Sequence, residues 1–161
     1  MAVSLYGSGQ TIVQVVQVTK LDRFSTTSTS YTAITGMSAS ITPFSTSNKI
    51  LVMVDMKGGA ANSSGGGVQL LRGGSAIYTP AAQGSRRLAS LSSGYDVNTS
   101  TVAQMSAVFL DSPATTAATT YSLQCVTNGG TFGVNSSSAY TDSTDNMATV
   151  SSITLMEVAY A

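Results

Sequence analysis

Apolar and polar residues alternate at period two through most of this chain, the pattern of strands with one face turned to a core. Met37, Ala39 and Ile41 alternate with Ser38, Ser40 and Thr42. Ile50, Val52, Val54 and Met56 alternate with Leu51, Met53, Asp55 and Lys57. Residues 11–19 (TIVQVVQVT) are β-branched almost throughout, which favours a pleated backbone. The glycine-rich stretch 58–66 reads as a loop. Residues 68–72 and 76–78 flank Gly73-Gly74, where glycine supplies the positive φ of a tight hairpin turn. A polar loop holding Arg86 and Arg87 leads to a strand over 102–110, which Asp111-Ser112-Pro113 ends, and 114–119 form a loop. Residues 120–127 and 131–135 bracket Asn128-Gly129-Gly130, a hairpin signal. A second polar loop, 136–147, precedes a last strand over 149–160. No helix is expected; the longest candidate, 101–110, fits period two as well as 3.6 and lacks caps.

Nine or so short strands with turns at near-regular spacing predict an all-β fold. The expected form is an antiparallel β-sandwich of jelly-roll type with eight to ten strands. No linker or composition break divides it, so 11–161 form one domain, with 1–10 as an N-terminal docking segment.

Several strands are apolar on both faces. In the first, Ile12, Val16 and Val18 fall on one side while Val13 and Val15 fall on the other. In the strand over 50–57, Leu51 and Met53 lie opposite the Ile50/Val52/Val54 face. An antiparallel sheet with one wet side should be polar there. Either a loop covers these faces or another subunit does.

Composition favours the subunit. Seven Lys plus Arg balance seven Asp plus Glu, and charged residues make up only 9% of the chain, against about a quarter in ordinary soluble domains. Hydroxyl side chains, about thirty per cent of the residues, carry the polarity, while 42% are hydrophobic. Disorder is excluded, because disordered chains combine low hydrophobicity with high net charge. Zero net charge gives no field to attract nucleic acid or an anionic membrane. No apolar run reaches the roughly eighteen residues of a membrane span, and the first nine residues lack the pattern of a secretory signal. The chain is expected to be made in a cytoplasm.

Candidate chemistry is sparse. There is no histidine, which rules out histidine-dependent triads and imidazole metal sites. The single cysteine, Cys125, alternates with Tyr121 and Leu123 and reads as a small buried residue rather than a reactive thiol. Asp142 and Asp145 offer oxygens to Ca²⁺, but without the spacing of an EF-hand loop they read as a polar turn. No enzyme activity, cofactor or metal is expected. Asn62, Asn98 and Asn135 open glycosylation patterns that a Ser/Thr-rich chain produces by chance. Arg86 and Arg87 form a fork for a neighbour's carboxylates or a solvated loop. Tyr78, Tyr95 and Tyr140 make a sugar-stacking surface or simply cap sandwich edges. The candidate interface is therefore Val13, Val15, Leu51, Met53, Arg86 and Arg87.

Several segments carry a family likeness in their order and spacing. They are GSGQTIVQVVQV (7–18), FSTTSTSY (24–31), ITGM (34–37), SITP (40–43) and STSNKILV (45–52), then VFLDSP (108–113), TTY (119–121) and VSSITLMEV (150–158). Together they resemble small virion proteins of tailed bacteriophages, especially those of aquatic phages including cyanophages. The likeness covers most of the chain except 58–67 and 81–99. More distantly, 68–74, 121–124 and the terminal apolar strand are similar to the trimeric jelly rolls of complement-type and tumour-necrosis-factor-like domains. That second likeness implies a three-fold assembly and carries no function.

The resemblance implies a phage structural protein on the virion surface, with itself and a major capsid protein as partners. The expected role is capsid decoration, cementing the head lattice as a homotrimer. The alternative is a tail-fibre tip or receptor-binding module recognising the host surface. A fibre needs an anchor and a shaft, whereas only a short leader precedes the first strand here, which favours cement. A bacterial adhesin loses ground for want of a signal peptide.

Overall fold

A computed structural model of the chain describes residues 9–60, 64–96, 101–138, 142, 144 and 146–159, with side chains at 64, 95 and 96 excepted. Of the docking segment expected at 1–10, only Gly9 and Gln10 fall within it. The described residues form strands and connections with no helix. The strands are β1 (Thr11–Lys20), β2 (Phe24–Thr26), β3 (Thr32–Ile41), β4 (Lys49–Ala60), β5 (Ser64–Arg72) and β6 (Ser75–Ile77). They continue with β7 (Leu91–Asp96), β8 (Ala103–Asp111), β9 (Thr119–Thr127), β10 (Phe132–Val134) and β11 (Ser151–Ala159).

Two antiparallel sheets pack face to face as a β-sandwich. In the first sheet β4 is central. It pairs β8 along one edge and β11 along the other, with β1 outside β11. Gly58 faces both Ala103 of β8 and Val134 of β10, so β10 continues the β11 edge past its end, with β2 outside it. The second sheet runs β3-β9-β5, and β6 and β7 share the remaining edge of β5. Inward positions of both sheets merge in one core. Ile50, Val52, Val54, Met56, Ile153 and Leu155 from the first meet Met37, Ile41, Val68, Leu70, Tyr121 and Leu123 from the second. Each such side chain contributes about 1.5–3 kcal/mol by leaving water.

The all-β sandwich matches the expectation, and so do the Gly73-Gly74 turn (φ +55° and +84°) and the break after Asp111. Three expectations are corrected. Residues 58–60 and 64–66 are strand, not loop. Their glycines serve close approach: a Cβ on Gly58 would lie 2.2 Å from the Gly133 carbonyl oxygen, and one on Gly66 2.1 Å from the Phe132 ring. Next, β9 and β10 are not a hairpin. Both edges of β9 are already paired, by β3 and β5, so the chain crosses at Gly129-Gly130 to the first sheet. Finally, Ile12 does not share a side with Val16 and Val18. A bulge between Ile12 and Gln14 pairs Ile12 with Val158 on the outer side and turns Gln14 inward toward Glu157. The short strands β2 and β7 add to those expected from the pattern.

Candidate functional site

The outer faces of the two sheets differ in kind. On the second sheet most outward positions are polar: Ser38 and Ser40 on β3, Thr120, Ser122 and Gln124 on β9, and Gln69 on β5, while the apolar Leu71 and Val126 on that side are buried. Polar pairs bond across strands, Ser40 to Thr120 at 2.7 Å and Gln124 to Gln69 at 2.8 Å. On the first sheet the register lines up Val15, Met156, Leu51 and Leu110 as one row across β1, β11, β4 and β8. The next row is Gln17, Thr154, Met53 and Val108. Val15 is 55% exposed, Val108 59%, Leu110 42% and Met53 39%. Beside the second row lies a shallow groove of about 300 Å³ bordered by Met53, Val108 and Gln104. Charge flanks the rows at both ends: Lys49 lies beside Val158 at one, and Lys57 pairs with Asp55 at the other.

Behind this face, buried polar groups fix the sandwich ends. Glu157 points inward from β11 and accepts hydrogen bonds from Gln14 Nε2, from Asn48 Nδ2 at 2.6 Å and from the Phe44 amide at 2.8 Å, tying the loop after β3 to the sheet. Burial raises its pKa, but these donors and the Ser45 amide together hold it below the ordinary glutamate value. Asn135, at φ +62°, donates through Nδ2 to the Lys20 carbonyl at 2.8 Å and accepts from Ser151 Oγ at 2.6 Å. Its side chain is thus consumed in packing. Cys125 is fully buried, and burial pushes its thiol up to about 12, so it stays protonated and unreactive at neutral pH.

A cleft of about 630 Å³ opens on the other side of the molecule. The segment between β6 and β7 crosses the outer face of the second sheet above Gly65, Gly67 and Val126, and the cleft lies between them. Arg86 and Arg87 both line it.

No protein-family model matches the chain, and no curated protein matches it.

The expected interface residues divide between two surfaces. Val15, Leu51 and Met53 share the apolar face, and Val13 sits exposed at the bulge beside it. Arg86 and Arg87 stand on the far side, exposed on the cleft loop. Leu110 and Met156 complete the first row, and Val108 joins Met53 as the apolar half of the second, whose other half is Gln17 bonded to Thr154 at 2.8 Å. Leu110, Met156 and Val108 are not among the interface residues expected from the sequence; the register shows that they adjoin Leu51, Met53 and Val15. Tyr78, at φ +51°, lies 5.0 Å from the Phe109 ring and does not line the cleft. Tyr140 and the Tyr95 side chain lie outside the described residues, as does Asp145; Asp142 is exposed. Among the described residues no three of Cys, Asp and Glu stand together as a metal site.

Proposed function

We propose that this chain is a non-enzymatic structural protein of a tailed-phage virion, a decoration protein that assembles as a homotrimer and clamps neighbouring capsid subunits. The observation that carries the proposal is the apolar outer face of the β1-β11-β4-β8 sheet, set against the mostly polar outer face of its companion. Monomers rarely leave contiguous apolar patches beyond a few hundred Å² in water. Covering one with another copy contributes on the order of 25 cal/mol per Å², against the entropy of association.

Strand order supports a jelly-roll reading. Omitting the short β2, β6 and β10, the long strands run first, eighth, third, sixth in one sheet and second, seventh, fourth, fifth in the other. Long-range pairing of this kind gives a stiff body suited to a shell. A lattice-bound trimer gains holding strength from repetition, so modest contacts suffice at each point.

The alternative, a receptor-binding module of the tail, is favoured by one observation, the arginine-lined cleft. The two readings separate in the intact particle. Under the decoration reading, labelled antibody against the chain marks the head lattice. Particles lacking it still adsorb to cells but burst at lower temperature. Label confined to the tail tip, with normal heat stability and lost adsorption, would overturn decoration in favour of receptor binding.

A further inference from the structure

We propose that the cleft beneath the β6–β7 connection binds a carboxylate-bearing saccharide, a hexuronate unit of an acidic polysaccharide being the type. The inference goes beyond the assembly reading, since it uses the opposite sheet and survives whatever covers the apolar face.

The cleft is built rather than incidental. Its floor is bare because Gly65 and Gly67 lie on the outward side of β5. A Cβ on Gly67 would come within 3.2 Å of the Ala89 methyl and close the gap. Its roof is fastened: the Leu88 carbonyl accepts from Tyr31 Oη and Gln69 Nε2, both at 2.6 Å, and the Ser90 amide donates to the Val68 carbonyl at 2.7 Å.

The charge within it is unspent. The ion pairs among the described residues use Lys20, Lys57 and Arg72. Among the described residues Arg86 and Arg87 have no carboxylate within 4 Å, and no Asp or Glu lines the cleft. Arg87 is held in place through Nη1, which donates to the Thr29 carbonyl at 2.6 Å and the Thr127 carbonyl at 3.3 Å. Its Nε and Nη2 make no hydrogen bond among the described residues. Arg86 uses Nη1 on Gln83 Oε1 at 3.1 Å and keeps the same two donors. A guanidinium with one edge anchored and the other open is preorganised for bidentate capture of a planar carboxylate.

The remaining wall selects what bears that carboxylate. Asn128, whose Oδ1 accepts from the Gly65 amide at 2.7 Å, offers its Nδ2 to a hydroxyl, and Pro80, Ala81 and Val126 offer apolar surface to ring C–H groups. A volume of about 630 Å³ suits a small organic ligand and exceeds what an inorganic anion fills. The cleft is also open at the surface, so a polymer can lay one unit in it and continue past.

The test is calorimetric titration of the full chain with trigalacturonate, its fully methyl-esterified form, triglutamate and inorganic phosphate. Trigalacturonate should bind with a Kd below about 1 mM, the ester, the peptide and phosphate at least about tenfold more weakly. Arg86→Gln, at an exposed side chain, should weaken trigalacturonate about tenfold with an unchanged unfolding temperature and oligomeric mass. Equal binding of ester and acid would overturn the proposal, as would equal or better binding of triglutamate or phosphate, or no binding at all. A changed oligomeric mass in Arg86→Gln would overturn it too, by assigning the arginines to a neighbouring copy.

Discussion

Arg72 on β5 and Asp111 on β8 join the two sheets at one end of the sandwich, with Nη1 2.8 Å from each carboxylate oxygen. The Tyr121 hydroxyl on β9 donates to the same carboxylate at 2.6 Å. Asp111 and Tyr121 are buried, while Arg72 reaches water. Asp111→Ala would leave the Tyr121 hydroxyl without an acceptor in the core, at a cost of about 3 kcal/mol. Asp111→Asn keeps an acceptor and should cost about half as much. Urea unfolding with an unchanged slope reads both. A loss under about 1 kcal/mol for the alanine variant would show that the clasp does not hold the sheets.

Glu157 should make the fold acid-sensitive. Its carboxylate is held below the ordinary value of 4.5 in the folded chain. That contribution is therefore complete above pH 4.5 and is lost as the pH falls through the folded value. Glu157→Gln should cost about 1–3 kcal/mol at pH 7. The gap between the two proteins should narrow steadily below pH 4.5. A gap that stays constant to pH 3 would mean that the charge on Glu157 contributes nothing.

Lys20 makes the opposite case. Its side chain is fully enclosed, yet its partner Asp22, at 2.9 Å, is 77% exposed. Replacing the lysine leaves that carboxylate in water rather than orphaned in the core. Lys20→Met should therefore change stability by less than about 1 kcal/mol in either direction. Loss of about 3 kcal/mol or more would show that the ion pair, and not the packing of the aliphatic stem, holds the end of β1.

Local pattern carried the long strands and failed where a residue's role depends on a distant neighbour. The alternation over 50–57 marked β4 and its two faces because side-chain direction is fixed by the backbone alone. Gly58, Gly59 and Gly66 looked like loop because composition gives no sign that Gly133, Thr101 and Phe132 approach them across the fold. Asn128-Gly129-Gly130 has hairpin chemistry, but β9 is an interior strand with no edge left to pair. The apolar face was half legible: Val15, Leu51 and Met53 declared themselves by sitting where polar residues belong. Joining them to Met156, Val108 and Leu110 needed the lateral register, which no single strand encodes. The cleft was not legible, because its floor is an absence of side chains and its roof is a loop.

The account turns on whether the apolar face of the β1-β11-β4-β8 sheet is covered by other copies of the chain. Val108 and Met53 face each other on it, exposed and away from the core. Light scattering coupled to size exclusion gives the mass directly at micromolar concentration. The expected result is a trimer for the native chain and a monomer for Val108→Lys/Met53→Lys, with the circular dichroism of the sheet retained in both. A native chain that elutes as a clean monomer, or a double variant that remains trimeric, would contradict it.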